Sequence, residues 1–173
     1  MAAELPREMM PTISTSVCVN YTQDQMYELV NDVADYPKYL PLCRDVRVLS
    51  AAERHIKATI TLAKGAVRLN FTTANTMEPG RHIHMKLVEG PFKYLRGNWR
   101  FDPNPHGGCD VSFRVDFQFA NPLLQMALGG IFREVMESLV AAFCDQAAKR
   151  YGNGGPALAP RPAIDGAGQT GPA

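Results

Sequence analysis

Between residues 43 and 120, apolar residues fall on every second position of one segment after another, and turn residues fence each segment off. Val46 and Val48 begin the series. Ile56, Ala58, Ile60 and Leu62 then alternate with His55, Lys57, Thr59 and Thr61. Past the Ala63-Lys64-Gly65 turn, Val67, Leu69, Phe71 and Thr73 alternate with Arg68, Asn70 and Thr72. Pro79-Gly80 leads to Ile83, Met85 and Leu87, set against His82, His84 and Lys86. Gly90-Pro91 leads to Leu95, Trp99 and Phe101, set against Tyr94, Arg96, Asn98 and Arg100. A turn-rich stretch, 102–108, precedes Val111, Phe113, Val115, Phe117 and Phe119. A period of two with short connections predicts an antiparallel sheet with one apolar face and one wet face. The apolar face must be covered, and that requirement constrains the rest of the chain.

One later stretch can cover it. Asn121 is suited to cap a helix and Pro122 to its first position. Leu124, Leu128, Ile131, Phe132, Val135, Met136, Leu139, Val140 and Phe143 follow at the i, i+3, i+4, i+7 spacing of one helical face. Lys149 and Arg150 complement the helix dipole and Gly152 supplies a stop. Such a helix over 121–151 runs on the order of 45 Å. Gly129-Gly130 inside it costs about 1 kcal/mol per glycine against alanine, and would permit a bend or a close approach.

Before the sheet, Ile13, Thr15, Val17 and Val19 share one side of a half-buried strand. Thr22 stands three residues before Gln25, a capping box, and Met26, Leu29, Val30 and Val33 form the inner face of the helix that follows. Asp35-Tyr36-Pro37 breaks it, and a short helical turn carries Tyr39 and Leu40. The fold class is therefore α+β: one strand, two short helices, six more strands and a long covering helix, about seven strands in all. Whether the space between sheet and helix is filled or hollow decides between a structural domain and a carrier. Phe71, Trp99, Phe113 and Phe117 are core residues in the first case.

Residues 1–10 are expected to form a flexible N-terminus, with a second possible start at Met10. The domain is expected over 11–151, and the Gly/Pro/Ala-rich stretch 152–173 is expected to be disordered. No run reaches the roughly 18 apolar residues of a membrane span, and the first ten residues lack the apolar core of a secretory signal. Cys18, Cys43, Cys109 and Cys144 are irregularly spaced, which fits reduced, mostly buried thiols in a cytoplasmic protein. The net charge is +1, but residues 54–101 carry nine Lys/Arg against two acids, a local +7. That asymmetry points to an anionic partner, or to a solvated sheet face.

The chemistry of catalysis is missing. There is no G-x-S-x-G, no H-E-x-x-H and no phosphate-cradling glycine loop. His82 and His84 share a strand face, but no third ligand stands near them, so they are expected to face solvent without a metal. Asp110 and Asp116 fall on the outward register, and the inward registers show almost no polar group. No enzyme, metal or required cofactor is expected.

Two stretches resemble a known family. Tyr21-Thr22, Gln25-Met26-Tyr27, Leu29-Val30, Val33, Tyr36-Pro37, Tyr39-Leu40-Pro41 and Cys43 are similar to the opening signature of the coenzyme Q-binding START-domain family. The run 87–95 (Leu-Val-Glu-Gly-Pro-Phe-Lys-Tyr-Leu) with Gly97, Trp99 and Phe101 resembles its bacterial ribosome-association toxin branch. The likeness spans 11–151 and implies a helix-grip fold, a sheet wrapped round the C-terminal helix. It implies an apolar cavity for ubiquinone or a similar lipid, in support of respiratory electron transport. Phe71, Met85, Leu87, Trp99, Phe113, Val135 and Leu139 are expected to line that cavity, with Tyr36, Tyr39, Leu40 and Pro41 at its mouth. The toxin branch implies instead binding to the large ribosomal subunit, blocked subunit joining and a cognate antitoxin. Arg68, Lys86, Arg96 and Arg100, all outward, are the expected RNA contacts. A polyketide cyclase-type enzyme shares the fold and would want a polar group at cavity depth.

Overall fold

The computed structural model describes residues 11–152 and Arg161–Pro162. The elements are β1 (Thr12–Val19), α1 (Gln23–Asn31), a 3-10 turn (Val33–Asp35), α2 (Tyr36–Tyr39), β2 (Cys43–Ala52), β3 (His55–Lys64), β4 (Val67–Glu78), β5 (His82–Glu89), β6 (Phe92–Pro103), β7 (Cys109–Phe119), α3 (Pro122–Tyr151) and β8 (Arg161–Pro162). The expected order of strand, short helices, six strands and long helix is what the chain forms. Residues 1–10, 153–160 and 163–173, which hold the expected flexible terminus and most of the tail, lie outside the described residues.

Strands β2 to β7 follow one another as antiparallel neighbours, and β1 returns to pair with β7, giving the order β2-β3-β4-β5-β6-β7-β1-β8. The short β8 pairs with Thr15 and Ser16 of β1. The Thr22–Gln25 capping box starts α1, with each side chain accepting the other's backbone N–H at 3.1 and 2.9 Å. Asn121 Oδ1 accepts the Leu124 N–H at 2.8 Å and so starts α3.

Ile131, Phe132, Val135, Met136, Leu139, Val140, Phe143 and Ala147 form the buried face of α3. Two aromatic knots fix it to the sheet. Phe132 packs on Phe117 (4.8 Å between ring centroids), Phe92 (4.9 Å) and Phe71 (6.1 Å). Phe143 packs on Trp99 (5.3 Å), Tyr36 (5.4 Å) and Tyr39 (5.8 Å). Eleven residues, about three turns or 16 Å, separate the knots along one helix face.

Three expectations change. β2 forms one edge of the sheet, and register shifts at Cys43/Asp45 and Val48/Ser50 rotate its side chains; Val48 is 40% exposed instead of facing the core. The first turns of α3 bury little, leaving Leu123 and Met126 exposed, and Leu124 and Leu128 only half cover the core. Gly129-Gly130 makes no close approach: a Cβ on Gly129 would meet nothing nearer than 3.8 Å, and one on Gly130 would meet open space.

Candidate functional site: an internal cavity and a basic sheet face

The gap between the two aromatic knots is not completely filled. Val135, Met136 and Leu139 from α3 face Ile60 and Leu62 of β3, Phe71, Thr73 and Asn75 of β4, Met85 of β5 and Trp99 of β6 across a cavity of about 40 Å³. Tyr36 and Leu40 close it on the α2 side, together with Val33 and Cys43. That volume takes on the order of three waters. A larger guest needs side chains to move. Met85 is suited to it, since it is unbranched and lies over the bare backbone of its cross-strand partner Gly97. A Cβ at Gly97 would meet Met85 Cε at 3.0 Å and Sδ at 3.4 Å, so the absence of a side chain there is what makes room for Met85.

Of the residues expected to line the cavity, Tyr36, Leu40, Phe71, Met85, Trp99, Val135 and Leu139 do so. Four are elsewhere. Phe113 is buried against Trp99, with ring centroids 4.4 Å apart. Leu87 packs half-buried on the core. Tyr39 and Pro41 line a separate depression on the outside of α3, with Ser138, Ala142 and Asp145. Sequence reasoning set Thr73 on the inward side without assigning it to the cavity, and missed Asn75; both are buried polar residues on the inward register of β4. The signal was available, because Leu69, Phe71, Thr73, Asn75 and Met77 occupy alternate positions of one strand.

The cavity's ionisable groups are held neutral. The Tyr36 hydroxyl donates to the Val30 carbonyl, and burial, with Tyr39 and Cys43 beside it, raises its pKa well above the usual tyrosine value. Burial, aided by Asp45, pushes the Cys43 thiol up to about 11.

The opposite face of the same strands is basic. On β5 the outward residues are His82, His84 and Lys86; on β6 they are Arg96, Asn98 and Arg100. The register sets Lys86 against Arg96, His84 against Asn98 and His82 against Arg100. Among the described residues neither Lys86 nor Arg96 makes an ion pair; Arg96 lies over the Tyr94 ring at 5.9 Å, and Arg100 reaches Asp102 at 3.7 Å. Asp116 is opposite Arg96 across β7, but its carboxylate accepts from Thr12 Oγ1 (2.7 Å) and Arg114 Nε (3.2 Å). It is outward in register as expected, yet buried, because β1 brings Thr12 over it. Ala74 and Gly97 leave a shallow depression of about 340 Å³ between His84, Lys86, Arg96 and Asn98.

The four expected RNA contacts are therefore three and one. Lys86, Arg96 and Arg100 share the patch, whereas Arg68 pairs with Ala63 near the β3–β4 turn, six residues along β4 from the Lys86 partner Ala74. The rings of His82 and His84 are 3.7 Å apart between centroids. His84 is exposed as expected, while His82 is half-buried, and burial, then His84 and Arg100, lower its pKa. Among the described residues no group of three or more His, Cys, Asp or Glu is placed to hold a metal ion. Nor is any helix long and apolar enough to cross a membrane.

Residues 19–144 match the model of the family described as polyketide cyclase / dehydrase and lipid transport. The ribosome association toxin RatA of Vibrio cholerae is 41% identical over 143 residues, covering 83% of this chain and 99% of the toxin. The mitochondrial coenzyme Q-binding protein COQ10 homolog B of Xenopus laevis is 29% identical over 143 residues, covering 80% of this chain and 59% of that protein. Among solved structures, the Zhui aromatase/cyclase of Streptomyces sp. R1128 matches with a TM-score of 0.73 at 16% identity, covering 82% of this chain and 96% of that one, a likeness of fold. The chain belongs to the polyketide cyclase / dehydrase and lipid transport family, and the RatA toxins are among its relatives in it.

Proposed function

We propose that this protein associates with the large ribosomal subunit through the outer face of β5 and β6, hinders subunit joining as a RatA-type toxin, and does so without catalysis. The relatives' name supports the reading, and one observation carries it: Lys86 and Arg96 stand directly opposite each other, and among the described residues neither makes an ion pair, the Asp116 carboxylate beside Arg96 being taken up by Thr12 and Arg114. Like charges in that position destabilise a sheet. They become favourable when phosphate sits across them, and phosphate dominates contacts with ribosomal RNA. Replacing Lys86 and Arg96 together by glutamate should abolish co-sedimentation with the large subunit while the fold survives. Co-sedimentation of that variant at moderate salt would refute the reading.

The enclosed cavity favours a second, compatible activity, the binding of a small apolar molecule such as a quinone between sheet and α3. The coenzyme Q-binding name of the Xenopus relative supports it. At about 40 Å³ the cavity must widen to admit such a guest, with Met85 as the movable wall. Mass spectrometry of small molecules extracted from the purified protein tests it, and an extract with no stoichiometric guest would count against it.

A further inference from the structure

Asn75 is 8% exposed, lines the cavity, and its Oδ1 has no hydrogen-bond partner among the described residues. The surroundings explain why. Its cross-strand neighbours are Ile56 on β3 and Met85 on β5, neither able to serve an amide well. The helix wall opposite consists of Val135, Met136, Leu139 and Phe143. Tyr36 already donates to the Val30 carbonyl, and a thiol such as Cys43 is a weak donor. Thr73, two positions along the same strand face, is the nearest polar residue on that face, and its own neighbours are Ala58 and Leu87. A buried amide oxygen without a partner is unfavourable, and valine or leucine would suit an apolar wall better.

We infer that Asn75, with Thr73 beside it, reads the polar head of a small amphipathic ligand whose apolar body lies among Phe71, Trp99 and Leu139. This rests on the cavity activity proposed above. The unpartnered atom is the acceptor Oδ1, so the head is a donor, a hydroxyl or an N–H. The rings of Phe71, Trp99 and Phe143 around the space favour a planar body. Asn75 thus sets which guest is accepted, while the apolar wall sets only how large it is.

Trp99 is the chain's single tryptophan and lines the cavity, so its emission reports occupancy. Three probes of similar shape separate the possibilities: naphthalene, 1-naphthol and 1,4-naphthoquinone, titrated by calorimetry with occupancy checked at Trp99. The wild type should bind 1-naphthol at least about tenfold more tightly than naphthalene or 1,4-naphthoquinone, because only naphthol gives the buried Oδ1 a donor. Asn75→Val should remove that preference and leave naphthalene binding unchanged. Asn75→Thr, which keeps a hydroxyl, should retain part of it and covers the case in which valine disturbs the fold. If naphthol binds no better than naphthalene, or if Asn75→Val weakens all three alike, the assignment of Asn75 falls while the cavity stands. If none of the three perturbs Trp99, the cavity is not a ligand site, the amide is served by water, and both readings fall.

Discussion

The single substitution Lys86→Glu separates a functional cation from a structural one. Lys86 and Arg96 are exposed and directly cross-strand, and the residue flanking Lys86 on β4 is the neutral Ala74. Turning a like-charge pair into an opposite pair at this spacing stabilises a sheet by about 0.2–1 kcal/mol. For a domain of this size that raises Tm by roughly 1–4 °C. At the ribosome the sign is opposite. Exchanging a positive for a negative charge about 4 Å from a phosphate in water changes the interaction by twice ~1 kcal/mol, a loss of roughly thirtyfold. The slope of log affinity against log salt should also flatten by about 0.7–0.9 for the contact removed. Urea and thermal unfolding measure the first effect, and gradient sedimentation with large subunits over a salt series measures the second. Arg68→Glu carries the same charge change at a position remote from the patch and should leave association near wild type. A Lys86→Glu protein that is more stable yet binds less establishes the patch as a functional surface. Unchanged binding, or binding and stability falling together, refutes the reasoning.

Trp99→Ala should cost about 3–5 kcal/mol in urea unfolding, since Trp99 is 2% exposed and joins Phe113 to Phe143; a cost below 1 kcal/mol would show that the second aromatic knot is not what fixes α3. The pKa of His82 is lowered in the folded protein by burial, His84 and Arg100, with Glu78 and Asn98 opposing. Its contribution to stability is therefore complete above the unfolded value near 6.5 and is lost as pH falls through the lower folded value, so His82→Gln should flatten the decline of the urea midpoint between pH 7.5 and 5.5. Burial raises Cys43 to about 11, Cys109 to about 12 and Cys144 to about 11, so all three should resist iodoacetamide at pH 7.5 until the protein unfolds, and rapid labelling of the native protein by mass spectrometry would contradict that burial.

Local periodicity accounts for what was legible in the sequence. The capping box at Thr22, the cap at Asn121, the α3 inner face and the alternation of β3 to β7 are all set by residues within a few positions of one another. What was not legible depends on partners distant in the chain. Phe113 alternates inward correctly, but Trp99 stands between it and the cavity, a fact of side-chain depth that register does not carry. Val48 alternates like a core residue, but β2 is a bulged edge. Asp116 is outward and nevertheless buried, because a strand about a hundred positions earlier brings Thr12 to it. Arg68 shares the outward register of the basic patch without sharing its place along the strand. Register fixes a face, and only the alignment of whole strands fixes a neighbourhood. Asn75 differs from these, since its inward position follows from Phe71 by counting in twos.

The same counting makes the two proposed activities separable. Along β5, Met85 belongs to the cavity and Lys86 to the basic face; along β6, Arg96 and Asn98 face out on either side of Gly97, and Trp99 faces in. Adjacent residues on a strand point to opposite sides of the sheet, so a substitution on one side leaves the side chains of the other in place. Asn75→Val should therefore change guest selectivity without altering ribosome co-sedimentation, and Lys86→Glu should do the reverse. The wall between the two sites is thinnest at Met85, which borders both the cavity and the outer depression, with its partner Gly97 in the depression beside it. A guest that displaces Met85 moves the residue next to Lys86, and that is where crosstalk would first be seen. Measuring co-sedimentation with and without saturating 1-naphthol decides the point: equal association means that the strand backbone isolates the two faces, and a shift that disappears in Asn75→Val means that the cavity is felt through β5.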